Sequence, residues 1–305
     1  MRKIHIILAE VLAIVLLWAT GQAHAQLEFV SPIHLIFVSE VTGNFGVYYT
    51  DGSMTNPVPI LVPTEPQDNI TSVACSPTGD TIAVNLYGGQ ITLVDLLTNT
   101  LTDLPLERSR YDNLEFSPNG QQLTFTRGVS GDIFALDLND LELQQVSSVA
   151  GQNDFATWSP DGNRIAFANV ENGLYTLYVK DLTQSGSETP ILTSSNSPYW
   201  SLEWSPLGNE IAFDLYAPNS SVYTIEPVMG SSPTPLFQSP QRSYGSPMWS
   251  TNADQLAFTA TIDGEPELYY ANRDGTNVHR LTFNGIVWDE AQCWLEDAPT
   301  ILGLR

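Results

Sequence analysis

Trp158-Ser159-Pro160-Asp161-Gly162-Asn163-Arg164-Ile165-Ala166-Phe167 is the stretch that decides the fold. The aromatic residue ends one short strand. Pro160 fixes φ and Gly162 tolerates positive φ, so Pro-x-Gly reads as a tight turn. Ile165-Ala166-Phe167 then opens a second apolar, β-prone run. The same phrase recurs at Cys75-Ser76-Pro77-Thr78-Gly79, Phe116-Ser117-Pro118-Asn119-Gly120 and Trp204-Ser205-Pro206-Leu207-Gly208. Trp249-Ser250-Thr251-Asn252-Ala253 is a decayed copy. The serine anchors 76, 117, 159, 205 and 250 lie 41, 42, 46 and 45 residues apart. A further 45 reaches Leu295, where Cys293-Trp294-Leu295 repeats the opening of the phrase without its Pro-x-Gly end. Self-similarity at this period marks a propeller or a solenoid.

The interior of one repeat selects the propeller. After the turn and its strand comes an alternating segment such as Leu174 to Val179, and then a short closing run such as Pro190 to Thr193. That makes four strands per unit, rich in β-branched and aromatic residues and bounded by Gly, Pro, Asn and Asp. No segment after the first 25 residues shows capped helical periodicity. The expected fold is all-β, with four-stranded antiparallel blades around an axis, an arrangement that leaves only short protected edges. Residues 33–62 supply three strands without a leading one, and Ala291 to Leu295 supply a leading strand alone. The two ends therefore complete one blade together, and six anchors mean six blades. Closure removes the open sheet edge that would invite aggregation.

Outside the repeats, Arg2 and Lys3 precede an apolar run from Ile4 to Trp18, and Ala23-His24-Ala25 fits a small-x-small cleavage site. Residues 1–25 thus read as a secretory signal peptide and 26–305 as the propeller. The run is shorter than a bilayer span and contains Glu10, so no membrane insertion is expected after cleavage. The chain carries 11 Lys and Arg against 34 Asp and Glu, a formal charge of −23. A surplus of that sign argues against nucleic acid, whose phosphates require clustered Lys and Arg. It argues equally against adhesion to anionic lipid. An extracytoplasmic location, periplasmic or secreted, follows from the leader.

The aromatic-Ser-Pro-Asp-Gly…Ile-Ala-Phe phrase resembles the repeats of the TolB family of periplasmic six-bladed propellers. Trp158 to Gly162 carries the likeness, as does Arg280-Leu281-Thr282-Phe283-Asn284-Gly285 followed by Trp288-Asp289-Glu290. It spans roughly residues 30–305. TolB proteins belong to the Tol–Pal cell-envelope system and bind partner proteins, so the resemblance implies an exported, non-catalytic interaction module. They also carry an N-terminal α/β domain, for which Gln26 to Ile33 leaves no room. Related repeats cap prolyl-oligopeptidase-like hydrolases, and seven-bladed relatives include polysaccharide lyases. A carbohydrate-binding or polysaccharide-acting propeller, or an accessory propeller left from such a hydrolase, is the alternative.

Candidate chemistry is sparse. After cleavage only His34 and His279 remain, at non-equivalent strand positions, and a metal site needs several converging ligands. No metal or other cofactor is expected. No Gly-x-Ser-x-Gly elbow and no phosphate loop opening a helix is present. Paired carboxylates cannot be read from sequence, because separation and burial decide their chemistry. No catalytic residue is assigned. The repeated Trp158, Trp204, Trp249 and Trp294 read as packing between blades. Tyr111, Asp112, Asp154, Tyr199, Trp200, Tyr244, Trp288 and Asp289 fall just before inner strands, on connections that converge on the channel mouth. Aromatic anchors among acids suit a partner protein of basic character, or sugars that stack on Tyr and Trp. Cys75 and Cys293 lie in the inner strands of neighbouring blades. They read either as two small buried apolar residues or as a disulfide stapling the ring closure, which requires facing directions across the blade gap.

Overall fold

The computed structural model describes residues 34–39, 45–50, 58–62, 70–129, 131–184, 188–195, 199–216, 220–239, 241–261, 266–282 and 289–295. The chain divides into residues 1–31 and residues 32–305, and all that follows concerns the second unit. Among the described residues every regular element is a strand.

The strands form six four-stranded antiparallel sheets. Blade 1 contains β1 (His34–Ser39), β2 (Gly46–Thr50) and β3 (Val58–Leu61). Blade 2 is β4 (Ile70–Cys75), β5 (Thr81–Leu86), β6 (Gln90–Asp95) and β7 (Thr100–Asp103). Blade 3 is β8 (Tyr111–Phe116), β9 (Gln122–Arg127), β10 (Asp132–Asp137) and β11 (Leu143–Gln145). Blade 4 is β12 (Gln152–Trp158), β13 (Arg164–Glu171), β14 (Leu174–Asp181) and β15 (Thr189–Ser194). Blade 5 is β16 (Tyr199–Trp204), β17 (Ile211–Tyr216), β18 (Ser220–Ile225) and β19 (Thr234–Phe237). Blade 6 is β20 (Tyr244–Trp249), β21 (Gln255–Ala260), β22 (Glu267–Asn272) and β23 (His279–Arg280). The last strand, β24 (Asp289–Leu295), pairs with β1 and becomes the inner strand of blade 1. The leading strands β24, β4, β8, β12, β16 and β20 touch in succession around the axis. Six blades closed by strands from both ends are therefore what the repeat count implied.

Three local devices explain why this sequence builds blades. The first is the serine turn. Four of the five anchor hydroxyls accept the backbone N–H five residues on: Thr81 onto Ser76 at 3.1 Å, Gln122 onto Ser117 at 2.9 Å, Arg164 onto Ser159 at 2.9 Å and Gln255 onto Ser250 at 3.0 Å, whereas Ser205 accepts the Leu207 N–H at 3.3 Å. Gly79, Gly120, Gly162 and Gly208 hold φ between 69° and 73°, and Ala253 takes the same left-handed place at 58° in the decayed copy. The glycines serve packing as well as turning. A Cβ on Gly120 would stand 3.5 Å from the Pro77 ring, and one on Gly208 would stand 3.3 Å from the Pro160 ring. Proline of one blade thus rests on glycine of the next.

The second device is the small residue in the second strand. Ile165, Ala166 and Phe167, like Ile211, Ala212 and Phe213, are fully buried because a blade lies against each face. Ala166 leaves room for Trp204 of the next blade, and Ala212 for Trp249. Thr124 takes the equivalent place in blade 3, and its hydroxyl accepts the Trp158 indole N–H at 3.1 Å. Burying an aromatic side chain this way contributes roughly 1.5–3 kcal/mol.

The third device is a register shift in the inner pairing of every blade. It falls between Ile70 and Ser72, Asp112 and Glu115, Asp154 and Thr157, Tyr199 and Leu202, and Gly245 and Met248. In blade 1 it falls between Ile36 and Phe37, opposite β24. Asn113, Phe155 and Ser246 sit at these shifts with φ of 53°, 54° and 47°. A bulge re-aims side chains and bends the strand, here beside the axis.

The bulges also correct one expectation. Tyr111, Asp112, Asp154, Tyr199, Trp200, Tyr244 and Asp289 are residues of the inner strands, not of the connecting loops before them. Each bulge spends extra residues on one strand, so the pairing extends further towards the mouth than the turn chemistry suggests. Trp288 lies outside the described residues.

Closure is covalent as well as hydrogen-bonded. Cys75 at the end of β4 and Cys293 in β24 form a disulfide across 218 residues, with Cα atoms 6.0 Å apart. It joins the inner strands of blades 1 and 2.

Candidate functional site

The inner strands enclose a cavity of about 1390 Å³ along the axis. The bulges supply part of its wall through Ser72, Asn113, Phe155, Ser201 and Ser246. The residue just before the repeat aromatic supplies more. That position holds Cys293, Ala74, Glu115, Thr157, Glu203 and Met248 around the ring. All of these except Thr157 line the cavity. This position is therefore uneven around the ring: acids and a hydroxyl stand on blades 3 to 5, and apolar side chains and a disulfide cysteine on blades 6, 1 and 2, while Ser72, Asp80 and Ser246 add polar groups to the wall on blades 2 and 6. The wall's charged members are Asp80, Glu115, Glu203 and Asp214, and no Lys, Arg or His joins them among the described residues.

Glu115 and Glu203 occupy one repeat position two blades apart, and the Glu203 charge acts on Glu115. Glu115 is held from blade 4: its carboxylate accepts the Trp158 backbone N–H at 3.0 Å and the Thr157 hydroxyl at 3.2 Å. The same Thr157 oxygen accepts the Trp204 N–H at 3.1 Å. Glu203 has no donor of this kind, because the next blade presents Met248 where blade 4 presents Thr157. Both residues are half-buried and line the cavity. Burial, then repulsion from Glu203, pushes Glu115 well above the usual carboxylate range, against the two hydrogen bonds it accepts. Burial alone pushes Glu203 up to about 8. The pair therefore keeps a proton at neutral pH, as expected of neighbouring desolvated acids.

Nearer the mouth, Asp154 accepts hydrogen bonds from Asn113 and from the Thr126 hydroxyl at 2.7 Å, joining blade 4 to blade 3. Burial raises its pKa despite these bonds. Asp214 accepts the Ser201 N–H at 2.8 Å. Among the aromatic candidates, Tyr111 is 1% exposed, stands edge-on to Phe125 and donates to the Glu107 carbonyl. It holds blade 3 together and is not presented to a ligand. Tyr244 lines the cavity with Phe237 and Phe258 behind it. Asp112 forms an ion pair with exposed Arg110. Only the backbones of Tyr199, Trp200 and Asp289 are described. His34 bonds the Tyr49 hydroxyl at 2.6 Å and His279 stacks on Tyr270, in separate blades. No three His, Cys, Asp or Glu residues gather into a metal-holding group among the described residues.

Residue-by-residue reading of the sequence did not single out Glu115 and Glu203. The signal was present in the alignment of repeats, where two acids stand in a column otherwise filled by Ala74, Thr157, Met248 and Cys293.

No protein-family model matches the chain, and no curated protein matches it by sequence. Solved structures do match by shape. TolB from Acinetobacter baumannii superposes with a TM-score of 0.69 at 21% identity, over 90% of this chain and 68% of that one. A putative TolB from Agrobacterium tumefaciens gives 0.64 at 16% identity, over 87% and 99%. A chain of a nidogen/laminin complex gives 0.66 at 8% identity, over 86% and 100%. At these identities the likeness is one of fold: this chain has the propeller architecture seen in TolB structures.

Proposed function

We propose that this protein is an exported, non-catalytic interaction module whose axial mouth receives an envelope or extracellular protein of basic character. The observation that carries the reading is the one-signed wall: every charged group described on the cavity is a carboxyl. A surface of this kind steers cationic partners and repels anionic ones, on a chain whose formal charge is −23. The Cys75–Cys293 disulfide supports export, since such bonds persist in oxidising compartments. Propellers of the same shape include a chain of a nidogen/laminin complex, a protein–protein assembly. The enclosure of Tyr111 removes one surface on which a sugar would stack.

Two measurements test the reading. Expression with the leader intact should yield an extracytoplasmic protein beginning at Gln26, by intact mass. A photo-crosslinker at Ser246, on the cavity wall, should capture one basic partner in a salt-sensitive manner, less so after Trp200→Ala and Trp288→Ala. Cytosolic retention of the uncleaved chain, or capture indifferent to both substitutions, would defeat it.

A further inference from the structure

We propose that the cavity wall of blades 3 to 5 binds a primary ammonium group carried on a short alkyl stem. The nitrogen sits between the Glu115 and Glu203 carboxyls, and the stem lies towards Met248 and the Cys75–Cys293 disulfide. The inference stands apart from docking of a protein at the mouth.

Four observations converge on it. First, Glu203 is a half-buried carboxyl on the cavity wall that accepts no hydrogen bond among the described residues, although its counterpart Glu115 accepts two. Its acceptor oxygens are therefore free for a ligand that carries donors. Second, no cation of the protein reaches this wall among the described residues, so a positive charge must come from outside. Third, the facing wall offers apolar surface from Ala74, Met248 and the disulfide, alongside Ser72 and Ser246. An alkylammonium ion matches this division, having N–H donors at one end and hydrocarbon at the other. Fourth, a divalent metal is poorly served, because no three His, Cys, Asp or Glu residues converge among the described residues. Hard cations take six or more oxygens, whereas an ammonium needs about three acceptors.

Binding on this geometry exchanges charges. With the site empty, the Glu203 carboxyl keeps a proton because no counter-charge replaces water around it. An arriving ammonium supplies that counter-charge, the carboxyl ionises, and the proton leaves to solvent. The other titratable groups on elements packed against β16 are Asp154 on β12, Arg164 and Glu171 on β13, Asp214 and Tyr216 on β17 and Tyr244 on β20. Arg164 is stacked over the Trp204 ring, 4.7 Å from its centroid.

Calorimetry on the full chain with n-pentylammonium tests the proposal. The expected result is binding that releases about one proton, seen as different apparent heats in two buffers, and that tightens several-fold between about pH 7 and pH 8.5. Glu203→Gln and Glu115→Gln should each weaken binding about tenfold or more, a loss of about 1.4 kcal/mol or more. N-acetyl-lysine amide serves as a second ligand, and equal binding supports a site that reads the ammonium and its stem alone. Equal binding of n-pentanol, no proton release, or displacement by calcium at lower concentration would overturn the inference. If either variant fails to fold, as judged by circular dichroism, the proton-release and pentanol measurements on the unaltered chain still decide.

Discussion

The two halves of the ring are held together by different chemistry. From blade 2 to blade 5, polar groups cross each gap. Ser72 accepts the Leu114 N–H at 2.9 Å, Glu115 holds Thr157 and the Trp158 N–H, and Thr157 accepts from Trp204. From blade 6 through blade 1 to blade 2, the described contacts near the axis are apolar packing around Met248, Trp249 and Leu295, and one covalent bond. The first half is specified by hydrogen bonds that each need one geometry. The second is closed by a crosslink, where the ends of the chain meet. The contrast shows how repeats with one backbone plan diverge: one or two side chains on the inner strands, such as Ser72, Glu115, Thr157 and Cys293, decide whether a gap is polar, apolar or covalent.

The largest test of the contrast is removal of the crosslink. Cys75→Ala with Cys293→Ala, or reduction, should cost about 3–5 kcal/mol, because a long loop is then freed in the unfolded chain. Urea denaturation with and without reductant measures it. A loss under about 1 kcal/mol would mean that packing alone closes the ring.

A pH series addresses the polar half. Glu203 has a folded pKa raised from an ordinary 4.5 to about 8, and Glu115 shifts in the same direction. The folded state therefore binds more protons than the unfolded state across that window, and stability falls as pH rises from about 4.5 to 8. The turn aspartates Asp80 and Asp161, held low mainly by hydroxyl hydrogen bonds from Thr78 and Ser159, act only below the window. Their contribution is present above the ordinary carboxylate pKa and fades in acid. The urea midpoint should accordingly decline from pH 5 to pH 8.5, and Glu203→Gln should flatten the decline. A midpoint that rises through this window would contradict the desolvated pair.

Thr157→Val probes the hinge of that half at nearly constant volume. It deprives Glu115 of a donor and the Trp204 N–H of its acceptor, so a loss of about 1–3 kcal/mol is expected in denaturation. A neutral outcome would show that water replaces the hydroxyl.

The smallest effect compares two equivalent indoles. Trp158 donates to Thr124, whereas the Trp204 indole N–H meets Ala166 and has no acceptor among the described residues. Trp158→Phe should therefore cost more than Trp204→Phe by about 1 kcal/mol, read from paired melts. Equal costs would mean that the indole bond contributes nothing net.

The fold was legible because its signals are local. Pro160 and Gly162 state their own backbone angles, and the spacing of Ser76, Ser117 and Ser159 repeats the statement at a fixed period. The bulges were not legible, since Asn113, Phe155 and Ser246 occupy equivalent positions with no shared side-chain chemistry. Without them, Tyr111 and Tyr244 read as loop residues although they begin strands. The acid pair was half legible: its column is visible once repeats are aligned. That Glu203 lacks the hydroxyl donor given to Glu115 rests on Met248 in the next blade, a neighbour 45 residues away.

Pairing β24 with β1 also orders events in time. Leu35 faces Trp294, so the first strand of the ring made during synthesis waits for β24 to emerge. Until then blade 1 has a bare edge where its axial strand belongs, and five finished blades cannot become a torus. Assembly of the circle is thereby deferred until β24 is delivered, and a chain truncated before Asp289 would persist as an open crescent.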